Sequence, residues 1–303
     1  MRIGIDIGGT KAHGVAVDEQ RRIIAEVRLA TGRGEREVLA TARAAAARLS
    51  EDVGERPLSI GVGIPGSVDT DAGVVLHAVN LGVEHLALAA GMRDLTDAPV
   101  RVDNDVNAAA LGAFGTLDPA PPSMSYLNVG TGLAAGFVLN GRVWRGAAGI
   151  AGEVGHIPID PDGRLCPCGQ RGCIETVASG SAIDHAWREE RPFSAAVDAG
   201  DPRALDLLSR VAHGVADAVQ IVVLSAGVDT VVLGGGVIAH VPRLAHAVRS
   251  DLAKRAARSG FLRSIGIVER VLVPSADTPV GAIGAALLGA VDDSARAASS
   301  PAG

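Results

Sequence analysis

The chain has 303 residues, with 28 Lys and Arg against 34 Asp and Glu, for a formal net charge of −6. That length buries a full core and suits two domains, and the lack of a basic stripe argues against a nucleic acid partner. Aromatic residues make up 2% of the chain, so recognition is expected to rest on hydrogen bonds and not on stacking platforms.

Three short strands are predicted over residues 2–7, 12–17 and 23–29, a meander broken by Gly8-Gly9-Thr10-Lys11 and by Asp18-Glu19-Gln20. No charged and apolar leader precedes the first strand, and no run of 18 apolar residues lacks a charge. A soluble cytoplasmic protein with no membrane partner is therefore expected. In the first turn, glycines let backbone N–H groups approach an anion while Thr10 adds a hydroxyl and Lys11 a charge, a set that suits phosphate. An ordinary Gly-Gly hairpin reads the same way. Asp6, at the end of the first strand, is placed to hold a Mg²⁺-bound water.

Helical spacing over residues 35–53 precedes a buried strand at Leu58 to Val62. Gly61-Val62-Gly63-Ile64-Pro65-Gly66 spells the dinucleotide fingerprint G-x-G-x-x-G. That motif must open a helix, whereas Pro65-Gly66 runs into the turn chemistry of Asp69-Thr70-Asp71-Ala72-Gly73. Gly66 is read instead as a point where the chain passes close to a ligand. Asn80, after a short strand at Val74 to His77, is read as a hydrogen-bonding group of the same cleft.

A strand at Val100 to Val102 leads into Asp103-Asn104-Asp105, which caps a helix over Val106 to Phe114. One Asp or Asn is expected there as an N-cap. Three in a row exceed what capping needs, and the carboxyl end of a strand is where open α/β sheets place their chemistry. Asp105 is the candidate base. The Pro-rich stretch from Gly115 to Ser123 marks the domain boundary, giving domains over 1–115 and 116–291 and a solvated tail over 292–303, with the last helix free to pack on the first domain.

The second half repeats the opening of the first: a strand (Met124 to Val129), the turn Gly130-Thr131-Gly132, a strand (Leu133 to Leu139), a hairpin at Asn140-Gly141 and a strand (Arg142 to Trp144). Facing glycine turns across a cleft would clamp the two ends of a triphosphate. Beyond them, Cys166, Cys168 and Cys173 lie ten residues past His156, and Cys₃His is a complete tetrahedral shell for Zn²⁺. Four protein ligands leave no open position, so this zinc would hold a loop whose Gly, Pro and Asp content favours turns and buries little. Plain buried thiols and a disulfide are the alternatives, and the Cys-x-Cys-x4-Cys clustering in a Gly/Pro loop disfavours both. Helices are then predicted over 174–178, 181–190 and 204–224. A strand at Val228 to Leu233 runs into Gly234-Gly235-Gly236, another close approach of backbone to ligand. A helix over 243–257, a strand over 267–273 and a helix over 280–291 complete the chain.

Asp6-Ile7-Gly8-Gly9-Thr10-Lys11, Val102-Asp103-Asn104-Asp105-Val106-Asn107-Ala108, Gly130-Thr131-Gly132 and Gly152-Glu153-Val154-Gly155-His156 with Cys166-x-Cys168-Gly169-x-x-Gly172-Cys173-Ile174-Glu175 together resemble the ROK family of sugar kinases and sugar-responsive repressors. The resemblance implies a duplicated two-domain α/β fold of the actin-like ATPase (ribonuclease H-like) type with an interdomain cleft. It implies ATP, Mg²⁺ and a structural Zn²⁺ as cofactors, a sugar and a nucleotide as small-molecule partners, and a homodimer or homotetramer. Asp105 would take the proton from a hexose 6-hydroxyl, and Asn104, Glu153, His156 and Glu175, with Gly66 and Asn80 nearby, would bind the sugar. His156 would use one nitrogen for zinc and the other for sugar. The glycine turns at 8–11, 130–132 and 234–236 would embrace the nucleotide. Glucose is the default substrate, with N-acetylglucosamine, N-acetylmannosamine or fructose as alternatives, and Val83 stands where many family glucokinases carry an aromatic. Polyphosphate is an alternative donor. A repressor is not expected, since those carry a helix-turn-helix ahead of the first strand. Intact Asp6, Lys11 and Asp105 argue against a sugar sensor without turnover.

Overall fold

The computed structural model describes residues 1–275 and 277–289. The tail expected over 292–303 lies outside the described residues. Ile3, Ile5 and Ile7, all fully buried, make β1 (Arg2–Ile7) the central strand of a five-stranded sheet. β2 (Lys11–Val17) and β3 (Ile23–Ala30) return antiparallel, as two tight turns require. Helix α1 (Glu35–Val53) carries Glu35 and Glu37 in its first turn and ends on Gly54, whose φ of 74° is left-handed. Next come β4 (Ile60–Ile64), the hairpin of β5 (Ser67–Asp69) and β6 (Val74–His77), the short α2 (Leu88–Gly91), β7 (Val100–Asn104) and α3 (Asp105–Gly115). No helix opens after Pro65-Gly66, so the apparent dinucleotide fingerprint is a strand followed by a hairpin.

A second sheet begins with β8 (Ser123–Val129), β9 (Leu133–Leu139) and β10 (Arg142–Trp144). After a long irregular stretch come α4 (Gly180–Ala186), α5 (Phe193–Asp198), α6 (Pro202–Ala226), β11 (Thr230–Gly234), α7 (Gly236–His240), α8 (Arg243–Arg258), α9 (Gly260–Ser264), β12 (Val271–Leu272) and α10 (Val280–Leu288). The strand orders are β3-β2-β1-β4-β7 and β10-β9-β8-β11-β12. In both, the third, second and first strands form the meander, and two further strands add in parallel beyond the first. The duplication expected from the glycine turns is thus present strand for strand.

Contacts divide the chain into two compact units. Unit 1 holds Met1–Ala120, Val138–Gly149 and the chain from Asp277; unit 2 holds Pro121–Phe137 and the stretch from Ile150 to just before Asp277. α10 joins unit 1 because all nine of its residues are buried there, against β1, β4 and α3. Gly4, Gly61 and Gly112 let it approach so closely that a Cβ at any of them would run into its main chain. Each unit has its own core: Ile3, Ile5, Val62 and Leu49 in unit 1, and Leu127, Val215, Val219 and Val231 in unit 2. α6 is long and apolar enough to cross a membrane by length and composition, yet Leu207, Val211, Val215, Val219 and Val222 are packed in the unit 2 core, which makes it a core helix.

Three predicted elements differ. The helix expected over 181–190 stops at Ala186, where Trp187 turns away to meet Phe193 edge-on at 5.8 Å and donates its indole N–H to Arg191 O at 2.8 Å. The helix expected over 174–178 is a single 3₁₀ turn, Ile174–Thr176. The strand expected over 267–273 shrinks to Val271–Leu272, because Arg270 donates to Ile265 O (2.9 Å) and Val228 O (2.8 Å) and holds the preceding residues as a turn.

Candidate active site

In unit 1 the site starts at the end of β7. Asn104 is the N-cap of α3: its Oδ1 accepts from the N–H groups of Val106 (2.9 Å) and Asn107 (3.3 Å), and its Nδ2 donates to Gly66 O at 3.1 Å. That fixes both ends of the Asn104 amide. Asp105 occupies the first helical position, its Oδ1 accepting from Val106 N–H at 3.0 Å. Asp6 is the penultimate residue of β1, two strands across from β7, and Gly63 of the intervening β4 lies between them, its missing Cβ leaving room beside both Asp105 and Asp6. Burial, and then the Asp105 carboxylate, push the Asp6 carboxyl from its ordinary 3.8 up to about 7. A carboxyl at this depth is relieved either by its own proton or by a nearby cation.

The other predicted residues of unit 1 separate into two kinds. Gly66 has φ +99°, and a Cβ there would collide with His77 O, so the fold itself requires a glycine at this position. Gly8 N–H donates to Lys11 O at 2.8 Å and closes the first turn, leaving Gly9, Thr10 and Lys11 exposed. Gly9 has no left-handed φ, and a Cβ on it would meet nothing within 4 Å. Neither conformation nor packing demands a glycine at that point. Asn80 is exposed in the 3₁₀ turn Val79–Leu81 and, among the described residues, makes no hydrogen bond to this set.

In unit 2, the turn Gly130-Thr131-Gly132 joins β8 to β9 and is tied to the start of α4 by Gly180 N–H to Gly130 O (2.8 Å) and Ser181 N–H to Thr131 O (3.1 Å). Gly132 touches the Glu175 carboxylate, whose Oε2 accepts from Leu133 N–H at 3.0 Å. Gly130, Thr131 and Gly236 line one cavity of about 510 Å³ together with Asp184, Phe193 and His240. The last three escaped sequence reasoning; Phe193, one of only four phenylalanines, was the available signal. Of the triple glycine, Gly234 lies against the Tyr126 ring and Gly235 against Asn128 and Val129, whereas a Cβ on Gly236 would meet nothing within 4 Å. Gly236 thus matches Gly9.

The Gly152-Glu153-Val154-Gly155-His156 run is pinned to β9: Ala135 N–H donates to Gly152 O at 2.7 Å, and a Cβ on Gly152 or Gly155 would strike Ala135 O or Leu133 O. Glu153 Oε2 lies 3.8 Å from His156 Nε2. The other ring nitrogen, Nδ1, is 3.6 Å from Cys166 Sγ, and Cys168 Sγ is 3.7 Å from Cys173 Sγ. The ligand atoms of His156, Cys166, Cys168 and Cys173 all lie within 4.8 Å of one another. Bonds of about 2.3 Å to sulfur and about 2.0 Å to nitrogen give a zinc tetrahedron edges of roughly 3.8 Å between thiolates and roughly 3.5 Å between thiolate and imidazole. The four residues therefore fit zinc, with Nδ1 as the ligand. Burial pushes the Cys173 thiol up to about 12, while the N–H and side-chain amide of Gln170 bring Cys168 down to about 6; a cation lets all three be thiolates together. The disulfide alternative is not realised, since all three cysteines are free.

Two sheets of one strand order, each with a glycine turn after its first strand, define the actin-like ATPase fold, here with a Cys₃His loop in the second unit. The ROK family profile matches residues 2–291, and the chain belongs to that family. It is 32% identical over 264 residues to a glucokinase of Halalkalibacterium halodurans, covering 78% of this chain and 80% of that one. It is 33% identical over 244 residues to an N-acetylmannosamine kinase of Yersinia pseudotuberculosis, covering 78% and 82%. Among solved structures it resembles a ROK family glucokinase from Streptomyces griseus in complex with glucose and AMPPNP, with TM-score 0.78, 29% identity, and 95% and 98% of the two chains covered.

Proposed function

We propose that this chain transfers the γ-phosphoryl group of ATP to the 6-hydroxyl of a hexose, with glucose first among the candidates. The observation that carries the reading is Asp105 on the first turn of α3, flanked by the doubly anchored Asn104 amide and beside Asp6. Phosphoryl transfer needs positioning and charge stabilisation more than covalent chemistry. Asp105 accepts the proton of the attacking hydroxyl. Asn104 and Asn80, with the Gly66 main chain, and Glu153, His156 and Glu175 of unit 2 take sugar hydroxyls, which need partners once water is excluded. Gly8 to Lys11, Gly130 to Gly132 and Gly236 cradle the phosphates with main-chain N–H groups and the Lys11 charge.

Mg²⁺, held through water by Asp6, would supply charge neutralisation on the phosphates. Zn²⁺, held by His156, Cys166, Cys168 and Cys173, would have no open position and would fix the imidazole so that Nε2 and Glu153 present to the sugar. The relatives support sugar kinase chemistry as the common denominator. A 2-acetamido hexose is the second reading, favoured by the likeness to an N-acetylmannosamine kinase. Asp105→Asn is the test of the chemistry. Turnover should fall by roughly 10²–10⁴ while sugar affinity stays within about tenfold; equal loss of both would move Asp105 from base to scaffold.

A further inference from the structure

An ion pair between a buried carboxylate and a half-buried guanidinium, which this scheme leaves unused, stands two residues from the base. Asp103 is 1% exposed. Its Oδ1 accepts from Asn104 N–H at 2.8 Å and from Asn107 Nδ2 at 3.1 Å. Its Oδ2 accepts from Arg145 Nε at 3.1 Å and from Arg145 Nη2. Four donors therefore converge on one carboxylate, as a charge at this depth requires. The fork of a guanidinium, unlike the point charge of an ammonium, also fixes the direction in which the carboxylate faces.

The donors on the far side of Asp103 come from the strand end and helix start that carry Asp105. One is the peptide of Asn104, whose side chain caps α3 and holds Gly66; the other is Asn107, one turn further along α3. Turning the Asp103 carboxylate therefore turns the peptide from which Asn104 and Asp105 emerge. Capping does not explain the pair, since the first N–H groups of α3 go to Asn104 and Asp105 and none goes to Asp103. Arg145 comes from far along the chain, in the Val138–Gly149 segment of unit 1, where Val143 packs against Ala108 and Leu111 of α3.

We propose that Arg145 is a positioning residue for phosphoryl transfer: by locking Asp103 it fixes the angle at which Asn104 and Asp105 leave β7. The proposal rests on the kinase reading with Asp105 as base. Arg145 touches no substrate in this scheme; it acts through Asp103.

The experiment compares Arg145→Met, Arg145→Lys and the double variant Asp103→Asn/Arg145→Met, reading zinc content, thermal midpoint, kcat, and KM for sugar and ATP. Arg145→Met leaves a buried carboxylate without its cation, so both midpoint and kcat should fall, kcat by at least about tenfold. The double variant removes the stranded charge, and the cavity of about 430 Å³ that Asp103 lines has room for water on the new amide. Its midpoint should return towards wild type while kcat stays at least about tenfold down and KM for ATP moves less than about threefold. Arg145→Lys should hold the midpoint near wild type and recover only part of kcat. A kcat that simply follows the midpoint across the three variants, or that recovers to within about twofold in the double variant, would overturn the proposal and leave the pair structural. Failure of the kinase reading looks different: wild-type protein would turn over no sugar, or Asp105→Asn would match it, and the positioning role would then go with the base it serves.

Discussion

The two sheets share one strand order, yet the functional side chains of the two units are held by different means. In unit 1, Asn104 and Asp105 sit where a strand becomes a helix, and the main chain of α3 with the Gly66 carbonyl holds them in place. In unit 2, Glu153, His156 and Glu175 lie on the stretch from 150 to 179, which has 3₁₀ turns but neither strand nor α-helix among the described residues. There the backbone is fixed by glycines pressed onto β9 and by four side chains gathered to the geometry of a zinc tetrahedron. A strand end orients a carboxylate at no extra cost; an irregular loop needs a crosslink to do the same.

Removing the crosslink is the sharpest way to break the comparison. Cys168→Ser should lose zinc, measured by metal analysis, and weaken sugar binding by about 10–100-fold, while the unit 1 sheet keeps its hydrogen-exchange protection. Normal sugar affinity in a zinc-free variant would deny His156 its dependence on the metal.

Asp6 gives the next largest effect, and its sign is fixed by its raised pKa. A carboxyl at 3.8 in the unfolded chain and about 7 in the fold favours folding at low pH and loses that advantage as pH rises through about 7. Asp6→Asn should thus gain stability over wild type as pH climbs from about 4 to 7, reaching on the order of a few kcal/mol in Mg²⁺-free denaturant melts at pH 8. Turnover should fall in the same variant. An equal stability difference at pH 5 and pH 8 would show that Asp6 is not held protonated by its surroundings.

The smallest effects on the fold belong to Gly9→Ala and Gly236→Ala. Each Cβ meets open space, so stability should change by less than about 0.5 kcal/mol. The KM for ATP should nonetheless rise severalfold, since the proposed phosphate cradle uses that space. Gly66→Ala is the contrast: its φ of +99° and the His77 carbonyl make it a folding defect first. Similar behaviour of all three in thermal melts would erase the distinction between ligand-facing and fold-facing glycines.

What the sequence made legible was local. Glycine turns after strands, an Asn-Asp pair at a helix start, and three cysteines within eight positions are signals carried within one short window, and each lies where its pattern implied. What it concealed was long-range. Arg145 reaches Asp103 across 42 positions, and nothing around Val143-Trp144-Arg145 announces it. α10 reads as one more apolar helix, and its place in unit 1 follows from Gly4, Gly61 and Gly112 on three other elements. Asp184, Phe193 and His240 meet Gly236 only because the second sheet brings their helices to one cavity. The sequence also offered one reason for every glycine, whereas Gly66, Gly234 and Gly235 face the protein and Gly9 and Gly236 do not.

The most direct measurement is ADP release by the purified, zinc-loaded protein with Mg-ATP across glucose, N-acetylglucosamine, N-acetylmannosamine, mannose and fructose. The expected result is turnover with a clear kcat/KM lead for one of them. Folded, zinc-bound protein that releases no ADP with any of the five would contradict it.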